Sequence, residues 1–273
     1  MNEFDINDLK KLYVPALNSH KGENGKLLII GGSVLFHAAS LWSLQVASRI
    51  VDMVFYSSVP QNNALVEKEK AEFRNGIIVP RSRIEHYIND ADCILIGPGL
   101  PRESGVEEGD DDTKELTERL FKAYPNKKWV VDGGSLQVIS PEILPPAAII
   151  TPHHLEFKTL FNLEPTLENT QIVAQKFNLT ILLKGEKDYV LNKMETVQID
   201  GGNVGMTKGG TGDVLAGLVA ALYCKNEAFL SAEAGSFINK KAGESLSRKM
   251  GIYFNASDLA SEIPVVMKEL LTA

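Results

Sequence analysis

Short, unbroken apolar runs recur along this chain, separated by stretches with helical spacing. This alternation constrains the fold more than any other feature. The runs are Lys26–Ile30, Met53–Tyr56, Gly76–Val79, Cys93–Ile96, Trp129–Val131, Ala148–Ile150 and Thr180–Leu183. Most are continuous rather than alternating in polarity, the pattern of parallel strands covered on both faces. Between them, Ala38–Val51 carries Leu41, Leu44, Ala47 and Val51 at helical spacing, and Thr113–Ala123 carries Leu116, Leu120 and Ala123. Such an order predicts a layered α/β fold with right-handed crossovers. After Leu183 the order changes. Tyr189–Leu191 and Thr196–Ile199 flank a polar turn and read as a hairpin. Asp213–Tyr223 is apolar on nearly every side and is expected to be buried. Ser231–Met250 follows, with Ser231 as its expected N-cap. No linker, repeat or low-complexity segment interrupts the chain, so residues 1–273 read as one domain.

Composition narrows the partners. Lys plus Arg is 28 and Asp plus Glu 35, a net charge of −7. A mildly acidic chain lacks the electrostatic footprint of a nucleic-acid binder. No run of about 18 uncharged apolar residues is present to cross a membrane, and the charged N-terminus lacks a signal-peptide core. Cys93 and Cys224 are too few for a disulfide framework or a zinc site and lie in apolar runs, as small core residues do. A reducing cytoplasm is the expected setting. Anion sites remain open, because backbone N–H groups bind phosphate without net positive charge.

Chemistry concentrates where predicted strands end, the place where open α/β sheets bind ligands. Gly209-Gly210-Thr211-Gly212-Asp213 opens the apolar helix. The first N–H groups of a helix lack internal partners and favour an anion, so Gly209, Gly210, Thr211 and Gly212 form a candidate hole for a phosphoryl group. This is not a Walker A loop, since no Gly-Lys-Ser/Thr closes it. A carboxylate at Asp213 would repel phosphate, which makes sense if it takes a proton from an attacking hydroxyl; the plain alternative is a helix-start charge. Lys184-Gly185-Glu186-Lys187-Asp188 and Gly97-Pro98-Gly99-Leu100-Pro101 also leave strands, and each could equally be an ordinary turn. Asp132 ends a strand, as a cleft carboxylate, a magnesium ligand or a cap. In Thr151-Pro152-His153-His154-Leu155-Glu156-Phe157, Thr151 could cap and Pro152 could begin a helix, with Glu156 facing the cap and Phe157 the core. The adjacent histidines do not suit zinc, because neighbours on a helix point about 100° apart; His153 is the better ligand contact. The run Glu107-Glu108-Gly109-Asp110-Asp111-Asp112 reads as a solvated loop favouring the next helix start rather than a cation site.

Taken in order, Lys21-Gly22…Gly25, Gly31-Gly32-Ser33, Gly97-Pro98-Gly99-Leu100-Pro101, Val131-Asp132, Thr151-Pro152-His153…Glu156-Phe157, Lys184-Gly185 and Gly209–Asp213 resemble the ADP- or ATP-dependent NAD(P)H-hydrate dehydratase family of the ribokinase-like superfamily. The resemblance implies a ribokinase-like three-layer sandwich with a mostly parallel central sheet. It implies an enzyme that phosphorylates the ring hydroxyl of the S epimer of hydrated NADH or NADPH, after which phosphate leaves. ADP or ATP would be the donor and magnesium the counter-ion. Carried over by position, the hydrate contacts fall on Ala39, Gly99, His153 and Asp213, with Asp213 as the base. The nucleotide contacts fall on Lys184, Gly185, Glu186, Lys187, Asp188 and Gly212.

Three positions depart from the family pattern. Ala38 replaces a glycine, which would shift the helix start. Gly133-Gly134-Ser135 follows Asp132 where a second carboxylate is common. Asp188 stands where threonine is usual and brings a charge to the nucleotide site. Family habit also implies a homo-oligomer. Some members are fused to an upstream epimerase; with Lys21 opening the motifs, that activity is expected on a separate chain. Because Gly-Thr-Gly-Asp is shared across the superfamily, a kinase of a vitamin precursor such as hydroxymethylpyrimidine or hydroxyethylthiazole is the alternative enzyme. A non-catalytic nucleotide sensor is the alternative of another class.

Overall fold

The structure is a computed structural model that describes residues 2–69, 76–102 and 105–272. Strands run Asn2–Glu3 (β1), Lys26–Ile30 (β2), Met53–Ser57 (β3), Ile77–Ile78 (β4), Cys93–Ile96 (β5), Lys128–Val131 (β6), Ile149–Ile150 (β7), Thr180–Leu183 (β8), Asp188–Leu191 (β9) and Thr196–Ile199 (β10). Helices run His37–Ala47 (α1), Pro60–Glu69 (α2), Ile84–Asp90 (α3), Thr113–Ala123 (α4), Gly133–Val138 (α5), His154–Phe161 (α6), Leu167–Phe177 (α7), Thr211–Tyr223 (α8), Ala228–Met250 (α9) and Ala256–Thr272 (α10). Among the described residues the strands make one sheet in the order β1-β10-β9-β8-β7-β6-β5-β2-β3-β4. All neighbours pair parallel except β9, which is antiparallel to both β8 and β10.

The unbroken apolar runs have the physical consequence expected of them. Successive side chains of a strand point to opposite faces, so each run feeds two cores. Leu28, Ile30, Ile94, Ile96, Trp129 and Val131 pack against α3, α4, α5, α6 and α7 on one face. Leu27, Ile29, Cys93, Leu95 and Val130 pack against α1 and α8 on the other. A third cluster joins α8, α9 and α10 outside that layer. Burying one such large side chain contributes about 1.5–3 kcal/mol, so the doubly covered sheet is the rigid base of the molecule. Both cysteines are buried, in the α1–α8 layer. No helix among the described residues is long and apolar enough to cross a membrane.

Several local expectations fail. Helix α9 begins at Ala228, so Ser231 lies inside it, its hydroxyl donating to Glu227 O at 2.7 Å rather than capping. Helix α1 stops at Ala47, short of Val51. Helix α6 is capped by His153, not Thr151, and Pro152 precedes the cap. The acidic run is more organised than a solvated loop. Asp112 caps α4, Asp111 pairs with Arg81 at 2.8 Å, and Asp110 accepts from Val34 N at 2.8 Å.

Candidate active site

Strands β5, β6, β7 and β8 deliver their ends to one edge of the sheet, and the N-terminus of α8 meets them there. Chain exit from β5 needs glycine. Gly97 has φ +118°, and a Cβ on it would lie 1.7 Å from Asp132 O. Gly99 has φ +71°, with Phe36 O at 2.4 Å and the Ala39 Cβ at 3.0 Å from a Cβ placed there. Only glycine tolerates this close approach at positive φ, so the β5 exit and the first turn of α1 come together. Helix α1 begins at His37 and keeps Ala39 in that turn despite Ala38.

The centre is a cation among carboxylates. Lys184, at the end of β8, places its ammonium 2.8 Å from Asp132 Oδ1 and 3.8 Å from Glu156 Oε2. Thr151 does not cap; its hydroxyl donates to Asp132 Oδ1 at 2.8 Å. Asp132 likewise makes no cap bond to α5 and is spent on these two partners. Glu156 N donates to His153 Nδ1 at 3.1 Å, and His153 N donates to Glu156 Oε2 at 2.9 Å, a reciprocal capping box. With Nδ1 accepting, the neutral ring carries its proton on Nε2. Gln137 steadies the other oxygen of Glu156 at 3.2 Å. Glu156 thus stands as a second carboxylate beside the Lys184 ammonium.

Asp213 occupies the first turn of α8. Burial, followed by the nearby Asp132 charge, pushes its carboxyl up to about 7, with Lys184 holding it down. Burial would lower Lys184, but the charges of Asp132 and Glu156 outweigh it and hold the ammonium above its ordinary value. Lys184 therefore stays charged while Asp213 can gain and lose a proton near neutrality, as a general base must.

Two clefts meet at this centre. One, of about 520 Å³, is lined by Ala39, Trp42, Gly99, His153, Gly209, Gly210 and Asp213 among others. The second, of about 650 Å³, is lined by Lys184 through Asp188, Gly201, Gly202, Asn239 and Lys240 among others. Both have the size of small-molecule sites, and Lys184 and Gly212 line both. All four residues matched to the hydrate lie on the first cleft, and all six matched to the nucleotide lie on the second. His154 lines neither.

The anion hole needs one correction. Thr211 N donates to Lys208 O at 3.4 Å, and its hydroxyl is turned back to Met206 O at 2.6 Å. Gly209, Gly210 and Gly212 keep N–H groups without a hydrogen-bond partner among the described residues. A Cβ on Gly212 would lie 3.5 Å from the Lys184 ammonium, so the helix end and the cation adjoin, an arrangement suited to an anion.

Asp188 does not present a bare charge to the second cleft. It is buried, accepting from Gly185 N at 2.9 Å and Ser236 Oγ at 2.7 Å, with the Lys240 ammonium 3.5 Å away. Lys240 escaped the sequence reading, though a lysine on the small-residue face of a helix, four residues from Ser236 and three from Gly243, is a usable signal. Asn239, also buried, has an Oδ1 without a partner among the described residues, a polar group to spare beside the nucleotide-sized space. For magnesium the residues fit less well. Among the described residues no group of three or more acidic, histidine or cysteine side chains could hold a metal ion, and Asp132 is already engaged by Lys184.

Comparison with known proteins agrees with this geometry. A family model described as NAD(P)H-hydrate dehydratase matches residues 27–265. A bifunctional NAD(P)H-hydrate repair enzyme from Methanocaldococcus jannaschii is 36% identical over 96% of this chain, which spans 52% of that protein's length. An ADP-dependent (S)-NAD(P)H-hydrate dehydratase from Nitrosopumilus maritimus is 34% identical, with 95% of each chain covered. The crystal structure of a ribokinase-like superfamily protein from Enterococcus faecalis superposes with a TM-score of 0.82 at 23% identity, covering 100% of this chain and 97% of that one. The likeness is one of fold, an α/β sandwich of the ribokinase type. On the extent of the family match and of these relatives, the chain belongs to the NAD(P)H-hydrate dehydratase family.

Proposed function

We propose that this chain restores NADH or NADPH from the S epimer of the hydrate, using ADP or ATP. The observation that carries the reading is the pair of clefts joined at Lys184 and Gly212, with Asp213 on the hydrate side. The N. maritimus relative, covered almost end to end, bears a name that agrees.

The steps follow from placement. The hydrate's ring hydroxyl sits among Gly99, His153 and Asp213. The Asp213 carboxylate takes the hydroxyl proton as that oxygen attacks the terminal phosphorus of the nucleotide, and the bond from phosphorus to the leaving nucleotide oxygen breaks. Gly212 N–H, its glycine neighbours and Lys184 face the negative charge spread over the transferring group. Preorganised donors of this kind commonly supply about 2.7–4 kcal/mol each. Loss of the new phosphate, with a ring proton, restores the dihydronicotinamide. Magnesium would enter on the nucleotide's own phosphates, where it would neutralise charge; the described residues offer it no group of three or more ligands. Only one hydrate epimer is consumed in this reading, so full recovery calls for a separate epimerising activity.

The test is direct. Purified protein is mixed with NADH hydrate, magnesium and either ADP or ATP, and the absorbance of reduced nicotinamide is followed. Recovery with at least one nucleotide is expected, and no recovery with either overturns the reading.

A further inference from the structure

The Lys240 ammonium makes contacts that no catalytic step uses. It donates to Glu186 O at 2.9 Å and to Gly201 O at 3.3 Å. Glu186 belongs to the turn after β8, and Gly201 to the loop after β10; both line the nucleotide cleft. One side chain, rooted in α9, therefore ties two separate walls of that cleft. Lys240 is only 5% exposed, and so is Asp188. A buried ammonium needs a counter-charge, and Asp188 supplies it from 3.5 Å. The carboxylate is itself fixed by Gly185 N and Ser236 Oγ.

We propose that Lys240 is a positioning residue for the nucleotide, clamping the 184–188 turn to the 201–202 loop, and that Asp188 sets the affinity by cancelling its charge. The proposal rests on the second cleft being the nucleotide site. It explains how a carboxylate is tolerated at position 188: the Lys240 ammonium lies 3.5 Å away. The two members act in opposite directions. Removing the ammonium frees both walls and leaves a buried carboxylate facing phosphate. Neutralising the carboxylate lowers stability, because the buried ammonium loses its counter-charge, but it leaves that ammonium bonded to Glu186 and Gly201 and adds a net positive charge beside the phosphates.

The experiment is calorimetric titration of ADP and of ATP into wild type, Lys240→Met and Asp188→Asn, without hydrate, so that it does not depend on turnover. Lys240→Met is expected to weaken nucleotide binding at least tenfold, and Asp188→Asn to leave it equal or tighter. In the turnover assay, Lys240→Met should raise the nucleotide KM at least tenfold while kcat changes less and the hydrate KM stays put. A merely structural pair would make both variants weaken binding together with a lowered melting temperature, and that result overturns the proposal. If Lys240→Met does not fold, Asp188→Asn decides alone: tenfold weaker binding overturns the clamp. Wild type that binds nucleotide but does not regenerate NADH refutes the dehydratase reading without touching the clamp; wild type that binds neither nucleotide refutes both.

Discussion

The Lys184 ammonium lies 2.8 Å from Asp132 Oδ1, and this ion pair sets the charge balance of the whole centre. Asp132, Glu156 and Asp213 are three carboxylates against one buried cation. The Lys184 charge favours ionised Asp213. Replacing Lys184 by Met should therefore move the acid limb of the pH–rate profile above pH 7, as well as lowering kcat by two orders of magnitude or more by removal of a donor to the phosphoryl group. A profile with the limb unmoved would show that Lys184 does not tune the base.

In wild type the same limb is expected near pH 7. Asp213 must be ionised to accept the hydroxyl proton, and its carboxyl is pushed up to about 7 by burial and by the Asp132 charge. Turnover should rise with pH through that value and fall about tenfold per unit below it. A limb near 4, the range of an unperturbed carboxylate, would assign the base elsewhere.

Asp213→Asn should abolish turnover while preserving nucleotide binding, since Gly212 and Lys184 remain in place. A positioned base supplies about 10²–10⁴-fold. The same variant makes a stability prediction with a definite sign. The folded-state value is raised above the unfolded one, so the stability tied to the protonated form is complete below about pH 4 and is lost as pH rises through 7. Asparagine never ionises. The variant should therefore be more stable than wild type at pH 8, by about 1–3 kcal/mol given partial solvent screening, and indistinguishable from it at pH 4. Thermal melts at the two pH values check both halves.

How far the sequence carried the fold and the site can be argued from particular residues. Cys93–Ile96 and Thr180–Leu183 match β5 and β8 residue for residue, because a strand buried on both faces leaves a continuous apolar run. The grouping of Ala39, Gly99, His153 and Asp213, which line one cleft, comes from the family resemblance; spacing alone makes Ala39 a core residue of α1. What the sequence hid were choices of partner, some distant in the chain and some within a turn. Thr151 and His153 both stand near the start of α6, and local rules favour threonine as a cap; a carboxylate 19 residues upstream takes the threonine and leaves the cap to histidine. Thr211 was counted in the anion hole because its backbone lies at a helix start, yet its N–H and hydroxyl turn back to Lys208 and Met206. Asp188 read as an added charge because Lys240, on a helix 52 residues onward, carries no mark of the pairing.

The glycine pair before α8 separates packing from chemistry. Gly210 is the N-cap, with φ +95°, and a Cβ there would stand 2.3 Å from the Trp42 ring and 2.7 Å from the Ala256 Cβ. Trp42 cannot swing away freely, since its indole N–H donates to Ser257 Oγ at 2.9 Å. Gly209 has open space around the same position and no positive φ. Gly210→Ala should therefore cost about 1–3 kcal/mol through left-handed strain and overpacking, and should disturb the start of the helix that carries Asp213. Gly209→Ala should keep the melting temperature within a degree or two, about the scatter of a harmless surface change. If its N–H faces the transferring phosphoryl group, the added methyl stands in the ligand's space and kcat drops although the fold is intact. Equal stability losses for the two variants would mean that this loop is held by its own conformation rather than by Trp42. A Gly209→Ala variant with full activity would remove Gly209 from the anion hole and leave that role to Gly210, Gly212 and Lys184.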